Sequence, residues 1–379
     1  MFSLTPMLWL AAALTAPLAG PAADVPAGPD TPPHARTGPE ARETARPAPV
    51  RVVATLPVYA DLARQIGGSE VEVVSIAAPN EDAHFVRPKP SFARELRRAD
   101  LFVTTGLDLE LWVPTLLDRA GNRQVSEGGD GYVAAHAGIT LLDIPTSADR
   151  SAGDVHIFGN PHLTTDPLRA LQVARNIATG LGKVAPERRD VWEAGLARLE
   201  DRMHRALFGD DLVDLLGGST LEDLALTGEL MGFLRENELD GAPLTERLGG
   251  WLGRALPIRG ERLICYHKNW AYLEDRFGLT CVDYVESKPG IPPTPGHVNE
   301  LVERMERENL RVLLAASYFD RRKVEAVARR GNAHAVIVPL FPGAEPGVED
   351  YFDLVDLWVD RLNGAFEAAR GTSGAAGGI

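Results

Sequence analysis

Residues 50–77, VRVVATLPVYADLARQIGGSEVEVVSIA, decide the fold. VRVVATL and VEVVSIA are short apolar runs rich in β-branched residues. Between them VYADLARQIG spaces its apolar residues as a helix does and ends on a glycine. Strand, helix, strand in that order is a βαβ unit, whose strands pair in parallel across a helical crossover. The series continues with a helix at SFARELRRA (91–99) and a strand at DLFVTTG (100–106).

A second series opens at Arg262 with RLICYH, NWAYLEDRFG and LTCVDYV, then a helix from about Gly296 to Asn309, then LRVLLAA, DRRKVEAVARRG and AHAVIVP. The expected fold class is therefore α/β, with two lobes, each a central, mostly parallel sheet flanked by helices. A helical middle separates them. TTDPLRALQVARNIATGLG (164–182) has Thr165 or Asp166 to cap, Pro167 for the first helical position and Gly182 to stop. In PERRDVWEAGLARLEDRMHRALFG (186–209), Trp192, Leu196, Leu199, Met203 and Ala206 recur at threes and fours. That predicts a helix of about 23 residues, some 35 Å long, suited to join the lobes as a stiff spine. The expected boundaries are a first lobe over 50–184, the connecting helix over 185–209, and a second lobe over 210–370 with a mostly helical insertion at 209–260. Residues 371–379 read as a disordered tail.

The chain of 379 residues has 45% apolar residues and a formal net charge of -14. That charge argues against nucleic acid or an anionic membrane as partner. Residues 1–23, uncharged and with an apolar run too short to span a bilayer, read as a secretory signal, although no Lys or Arg precedes the run. Residues 24–49, rich in Pro, Ala and charge, read as a disordered linker. No cysteine follows the signal, so a periplasmic protein without lipid anchor or membrane insertion is expected. Cys265 and Cys281 are the two cysteines. They fit either a disulfide of an exported protein or two buried thiols in neighbouring strands.

In parallel α/β sheets ligands collect at the carboxyl ends of strands. His84 lies past VEVVSIA, and His267 directly follows RLICY. His162 lies in GDVHIFGNPH (153–162), whose Gly159 and Pro161 make it a loop. Three histidines in three loops spread over both lobes supply neutral imidazoles, and three such nitrogens with a water or carboxylate make a tetrahedral zinc set. No HExxH pair and no evident general base accompany them, which weighs against a zinc hydrolase. His34, His136, His204, His297 and His334 read as structural or solvated.

DAHFVRPKPSFARELRRADLFVTTGLDLELW (82–112), GNPHLTTDP (159–167) and CYHKNWAYLEDRFGL (265–279), in that order, resemble the zinc and manganese receptors of bacterial ABC importers. The resemblance implies two α/β lobes joined by one long backbone helix, with metal in the cleft and little lobe motion. It also implies a non-enzymatic, monomeric receptor that delivers its ion to a membrane permease subunit. Carried onto this chain, His84, His162 and His267 match three metal ligands. A histidine in the third position resembles the zinc-type rather than the manganese-type receptors, and nitrogen donors suit zinc better. A manganese receptor, or a periplasmic metallochaperone or adhesion protein of the same fold, is the alternative. Several features depart from the family pattern. Pro339 stands where members carry a ligating aspartate, which leaves His156, Glu286, Asp320 or a water as fourth ligand. Leu163 and Thr164 replace an aromatic pair, the long His-rich loop of some zinc receptors is missing, and the 209–260 segment is extra.

Overall fold

The computed structural model describes residues 48–145, 156–286, 288 and 290–375. The expected signal peptide, and the linker up to Pro47, lie outside the described residues. The first unit runs β1 (Val50–Ala54), α1 (Pro57–Gly67), β2 (Val71–Ser75), α2 (Pro90–Arg98), β3 (Leu101–Thr104), α3 (Val113–Ala120) and β4 (Tyr132–Ala134). Its four strands are all parallel in the order β2-β1-β3-β4.

Two long helices follow, α4 (Pro167–Val184) and α5 (Arg189–Phe208). Asp166 caps α4 by accepting from the Leu168 N–H at 3.0 Å, and Pro167 takes the first position. The expected stop at Gly182 does not hold. The helix passes through it to Val184, because a glycine weakens a helix without breaking it, and the chain turns at Ala185, which precedes Pro186. For the same reason α5 is 20 residues long rather than 23, its first three expected residues forming a 3-10 turn over Pro186–Arg188. Its rise is about 30 Å.

The 209–260 segment holds α6 (Asp210–Leu216), α7 (Gly218–Leu226), α8 (Leu230–Glu236), the small hairpin β5 (Glu238–Leu239) and β6 (Ala242–Pro243), and α9 (Gly250–Ala255). The second α/β unit then runs β7 (Arg262–Cys265), α10 (Ala271–Phe277), β8 (Thr280–Tyr284), α11 (Pro295–Arg307), β9 (Val312–Ala316), α12 (Arg321–Arg330), β10 (His334–Val338) and α13 (Tyr351–Ala375). That last helix continues past Gly371, where the sequence reading places a disordered tail. The sheet is parallel in the order β8-β7-β9-β10. Both sheets thus repeat one topology, with the switch point between the first and third strands of each series.

One apolar core runs from the first sheet through α1, α4 and α5 to the second sheet and α13. α1 is buried nearly all round, with Val58, Tyr59, Leu62 and Ile66 inside, because the sheet covers one side and α4, α5 and α13 the other. Each such side chain contributes roughly 1.5–3 kcal/mol relative to exposure. α5 comes so close to α1 that a Cβ on Gly195 would lie 2.0 Å from the Ile66 carbonyl oxygen, so that glycine is required. The two units are also tied by charge. The fully buried Asp166 accepts from Arg169 Nη1 at 2.6 Å and from Arg276 Nε and Nη2, on α10, at 2.8 and 2.9 Å. Cys265 and Cys281 sit on the neighbouring strands β7 and β8 and are joined as a disulfide, with Cα atoms 5.6 Å apart.

Candidate metal centre

The carboxyl end of the first sheet is organised around one buried carboxylate. Thr55 and Thr105, just past β1 and β3, donate their hydroxyls to Glu110 Oε1 at 2.6 and 2.7 Å, and the Thr105 N–H adds a bond of 3.1 Å. Burial pushes the Glu110 carboxyl up, against the pull of the Thr55 and Thr105 bonds. Those bonds pin the loop that carries Asp108. Two residues beyond Glu110, Trp112 donates its indole N–H to the Ala83 carbonyl at 2.8 Å and so holds the short turn Ala83–Phe85 that bears His84.

Asp82 caps that turn, accepting from the His84 N–H at 3.0 Å, and its Oδ1 also meets His84 Nδ1 at 2.6 Å. His156 is held in the same way: its Nδ1 meets Asp108 Oδ1 at 2.8 Å, while Asp108 Oδ2 accepts from the Ile157 N–H at 3.0 Å. Burial pushes the Asp108 carboxyl up, but the hydrogen bond and charge of His156 and the Ile157 N–H outweigh it and hold it below its ordinary value. A carboxylate only accepts, so each imidazole places its proton on Nδ1 and its lone pair on Nε2. The two Nε2 atoms face each other at 3.1 Å. Two lone pairs that close repel unless a positive centre, a proton or a metal ion, lies between them.

His162 enters just before α4, its N–H bonded to Asn160 Oδ1 at 3.0 Å. Its ring centroid is 5.5 Å from that of His84 and 6.0 Å from that of His156. The donor atoms of His84, His156 and His162 all lie within 4.8 Å of one another. Burial, and then the charges of His84, His156 and His267, hold the His162 imidazole well below its ordinary value, which keeps it neutral, the form that binds metal. From the second sheet comes His267, two residues past β7 and buried. Its Nδ1 donates to the Glu286 carbonyl at 2.7 Å, and its ring lies 6.2 Å from that of His84.

Of the three histidines singled out in the sequence, the structure groups the donor atoms of His84 and His162 and sets His267 at the edge, its ring against that of His84. His156, there only one candidate for the vacancy at Pro339, lies at the centre. The other candidates are engaged elsewhere. Glu286 is buried beside the site, where burial and the charge of Asp82 push its carboxyl up, and Oε1 accepts from the Gly290 N–H at 2.9 Å. Asp320 is exposed and caps α12 through the N–H groups of Arg322 and Lys323. Pro339 uses its carbonyl to accept from the Trp358 indole at 2.7 Å. Asp82, Asp108 and Glu110, which orient the rings, were not singled out, although all three lie in the quoted 82–112 stretch.

The chain matches the family described as "Zinc-uptake complex component A periplasmic" over residues 52–206 and 251–365. Among its relatives is the manganese ABC transporter substrate-binding lipoprotein PsaA of Streptococcus pneumoniae serotype 4, 24% identical over 43% of this chain and 51% of that protein, so this chain spans about half its length. The iron-binding protein YfeA of Yersinia pestis is 23% identical over 83% of this chain and 86% of that one. A solved structure of a ZnuA deletion mutant with zinc bound shares the fold, with a TM-score of 0.61 at 20% identity, covering 84% of this chain and 98% of that one. So does FpvC from Pseudomonas aeruginosa in complex with Mn2+, with a TM-score of 0.59 at 19% identity, covering 84% and 99%. The profile leaves out 207–250, which holds most of the helical segment that the sequence reading sets apart as extra. The chain belongs to the periplasmic zinc-uptake complex component A family.

Proposed function

We propose that this protein captures one divalent metal ion on His84, His156, His162 and His267, and that the ion is zinc in preference to manganese. The observation that carries the reading is the pair of Nε2 lone pairs 3.1 Å apart, each fixed by a carboxylate on the far side of its ring. Such a pair is built for a cation. Imidazole donors with no carboxylate in the group favour zinc over manganese, which prefers oxygen. The relatives' names include manganese and iron, so the fold alone does not fix the metal, and the reading of zinc rests on the donor set of this chain.

Captured ion is passed, on this reading, to the membrane permease of an ABC importer, and the protein acts as a monomeric receptor outside the cytoplasm. A disulfide between Cys265 and Cys281 suits an oxidising compartment. No helix among the described residues is long and apolar enough to cross a membrane. Equilibrium dialysis of chelator-stripped protein against zinc and manganese tests the reading: one equivalent of zinc should bind, more tightly than manganese, and each of His84→Ala, His156→Ala and His162→Ala should weaken it by more than about 100-fold. Affinity unchanged by these substitutions overturns the assignment.

A further inference from the structure

Asn269 is fully buried beside the histidine cluster and is not among the residues assigned above. Its Nδ2 lies 3.2 Å from His162 Nε2 and 3.0 Å from the Tyr318 hydroxyl, while its Oδ1 is buried without a hydrogen-bond partner. Amide oxygen and nitrogen are assigned by their surroundings, and here the count decides. As placed, the amide donates both its hydrogens and leaves one acceptor unpaired. Turned over, it would leave two N–H donors unpaired at the spot where Oδ1 finds no partner, which costs more. The amide therefore donates to His162, so His162 Nε2 carries the lone pair and Nδ1 the proton.

That lone pair has one direction and serves one partner. A metal ion on Nε2 and the Asn269 N–H are mutually exclusive. We infer that Asn269 is a latch on the metal site: its N–H occupies the ligating lone pair of His162, must swing off Nε2 for a metal ion to bind, and recaptures the nitrogen as the ion departs. Tyr318, whose hydroxyl accepts the second amide hydrogen, is the pivot. The latch holds the His162 tautomer ready for coordination and lowers the affinity for every metal by one constant factor, because its bond is a property of the unloaded site. The inference rests on the reading of His162 as a ligand through Nε2.

Two measurements test it. In chelator-stripped protein, nitrogen NMR of the His162 ring should show an Nδ1–H tautomer with a hydrogen-bonded Nε2, and Asn269→Ala should move the Nε2 resonance. This readout involves no metal, so it can fail or succeed independently of the receptor reading, which fails if the unaltered protein binds no metal. In competition titrations against chelators, Asn269→Ala should tighten zinc and manganese by the same factor, about two- to tenfold, the worth of one hydrogen bond. Tyr318→Phe, which keeps the ring, should shift both in the same direction by less, and supplies the test if Asn269→Ala fails to fold. Asn269→Ala in a His162→Ala background should add nothing. Weaker binding in Asn269→Ala, unequal factors for the two metals, or an Nε2–H tautomer overturns the latch.

Discussion

Among the described residues, histidine meets carboxylate in two clusters of opposite design. In the helical middle, His204 Nε2 lies 2.8 Å from Glu222 Oε2, Arg175 forks onto both oxygens of Glu222 at 2.5 and 2.8 Å, and its Nε reaches Glu200 at 2.7 Å. Burial pushes the Glu222 carboxyl up, but the Arg175 and His204 bonds outweigh it and bring it down to about 2. This cluster carries its own cation and is closed. At the carboxyl ends of the sheets, Asp82 and Asp108 each take one imidazole by Nδ1, and the opposite nitrogens converge on a common point. A carboxylate beside a histidine therefore does not mark a site. Convergence of the remaining lone pairs does.

The largest expected effect breaks the second cluster. His84→Ala or His156→Ala should weaken zinc binding by more than about 100-fold, beyond what loss of an outer partner costs, whereas His204→Ala should leave affinity unchanged and lower stability by about 1 kcal/mol. Calorimetric titration beside thermal melts separates the two. Next, Asp108→Asn should weaken zinc by about 10- to 100-fold, because an amide no longer holds the proton on Nδ1 of His156 as firmly. Glu222→Gln should lower the melting temperature and leave zinc affinity alone.

Acid should take the clusters apart in separate windows. His162 is held well below the ordinary histidine value, so the native site refuses a proton that the unfolded chain accepts. Metal-stripped stability should therefore decline as pH falls below about 6.5, the unfolded value, whereas a proton should compete with zinc at His162 only at lower pH, toward its depressed native value. Glu222 is depressed, so its stabilisation is present above about 4.3 and is lost as pH falls toward about 2. Denaturant melts and zinc titrations along a pH series should resolve the two steps; one shared transition would mean the clusters are coupled. Cys265→Ser with Cys281→Ser should likewise act on stability rather than on the metal. Opening a loop of sequence separation 16 should cost about 3 kcal/mol of stability, read by denaturant unfolding, with zinc affinity nearly unchanged.

The architecture was legible because it is written in local periodicity. The stretch at 50–77 alternates strand and helix, Asp166 and Pro167 start α4, and each series of strands repeats the same order. Helix ends were less so: Gly182 looked like a stop but stays inside α4, since the break comes from the Ala185–Pro186 step. His84, His162 and His267 could be singled out because each stands past a strand or before a helix. The pairing of His156 with Asp108 could not be found this way, for it joins residues 48 apart through a loop fixed by Glu110, and only the folded chain brings them together. Asn269 carried no signal at all, because an asparagine two residues after a histidine reads as a turn residue until its burial is known.

The measurement that bears most directly on the histidine cluster is X-ray absorption spectroscopy of the protein loaded with one equivalent of zinc. The spectrum should show a nitrogen-dominated shell in which imidazole scattering counts three to four rings, falling by one in His156→Ala. A shell dominated by oxygen, or a ring count that His156→Ala leaves unchanged, would contradict this expectation.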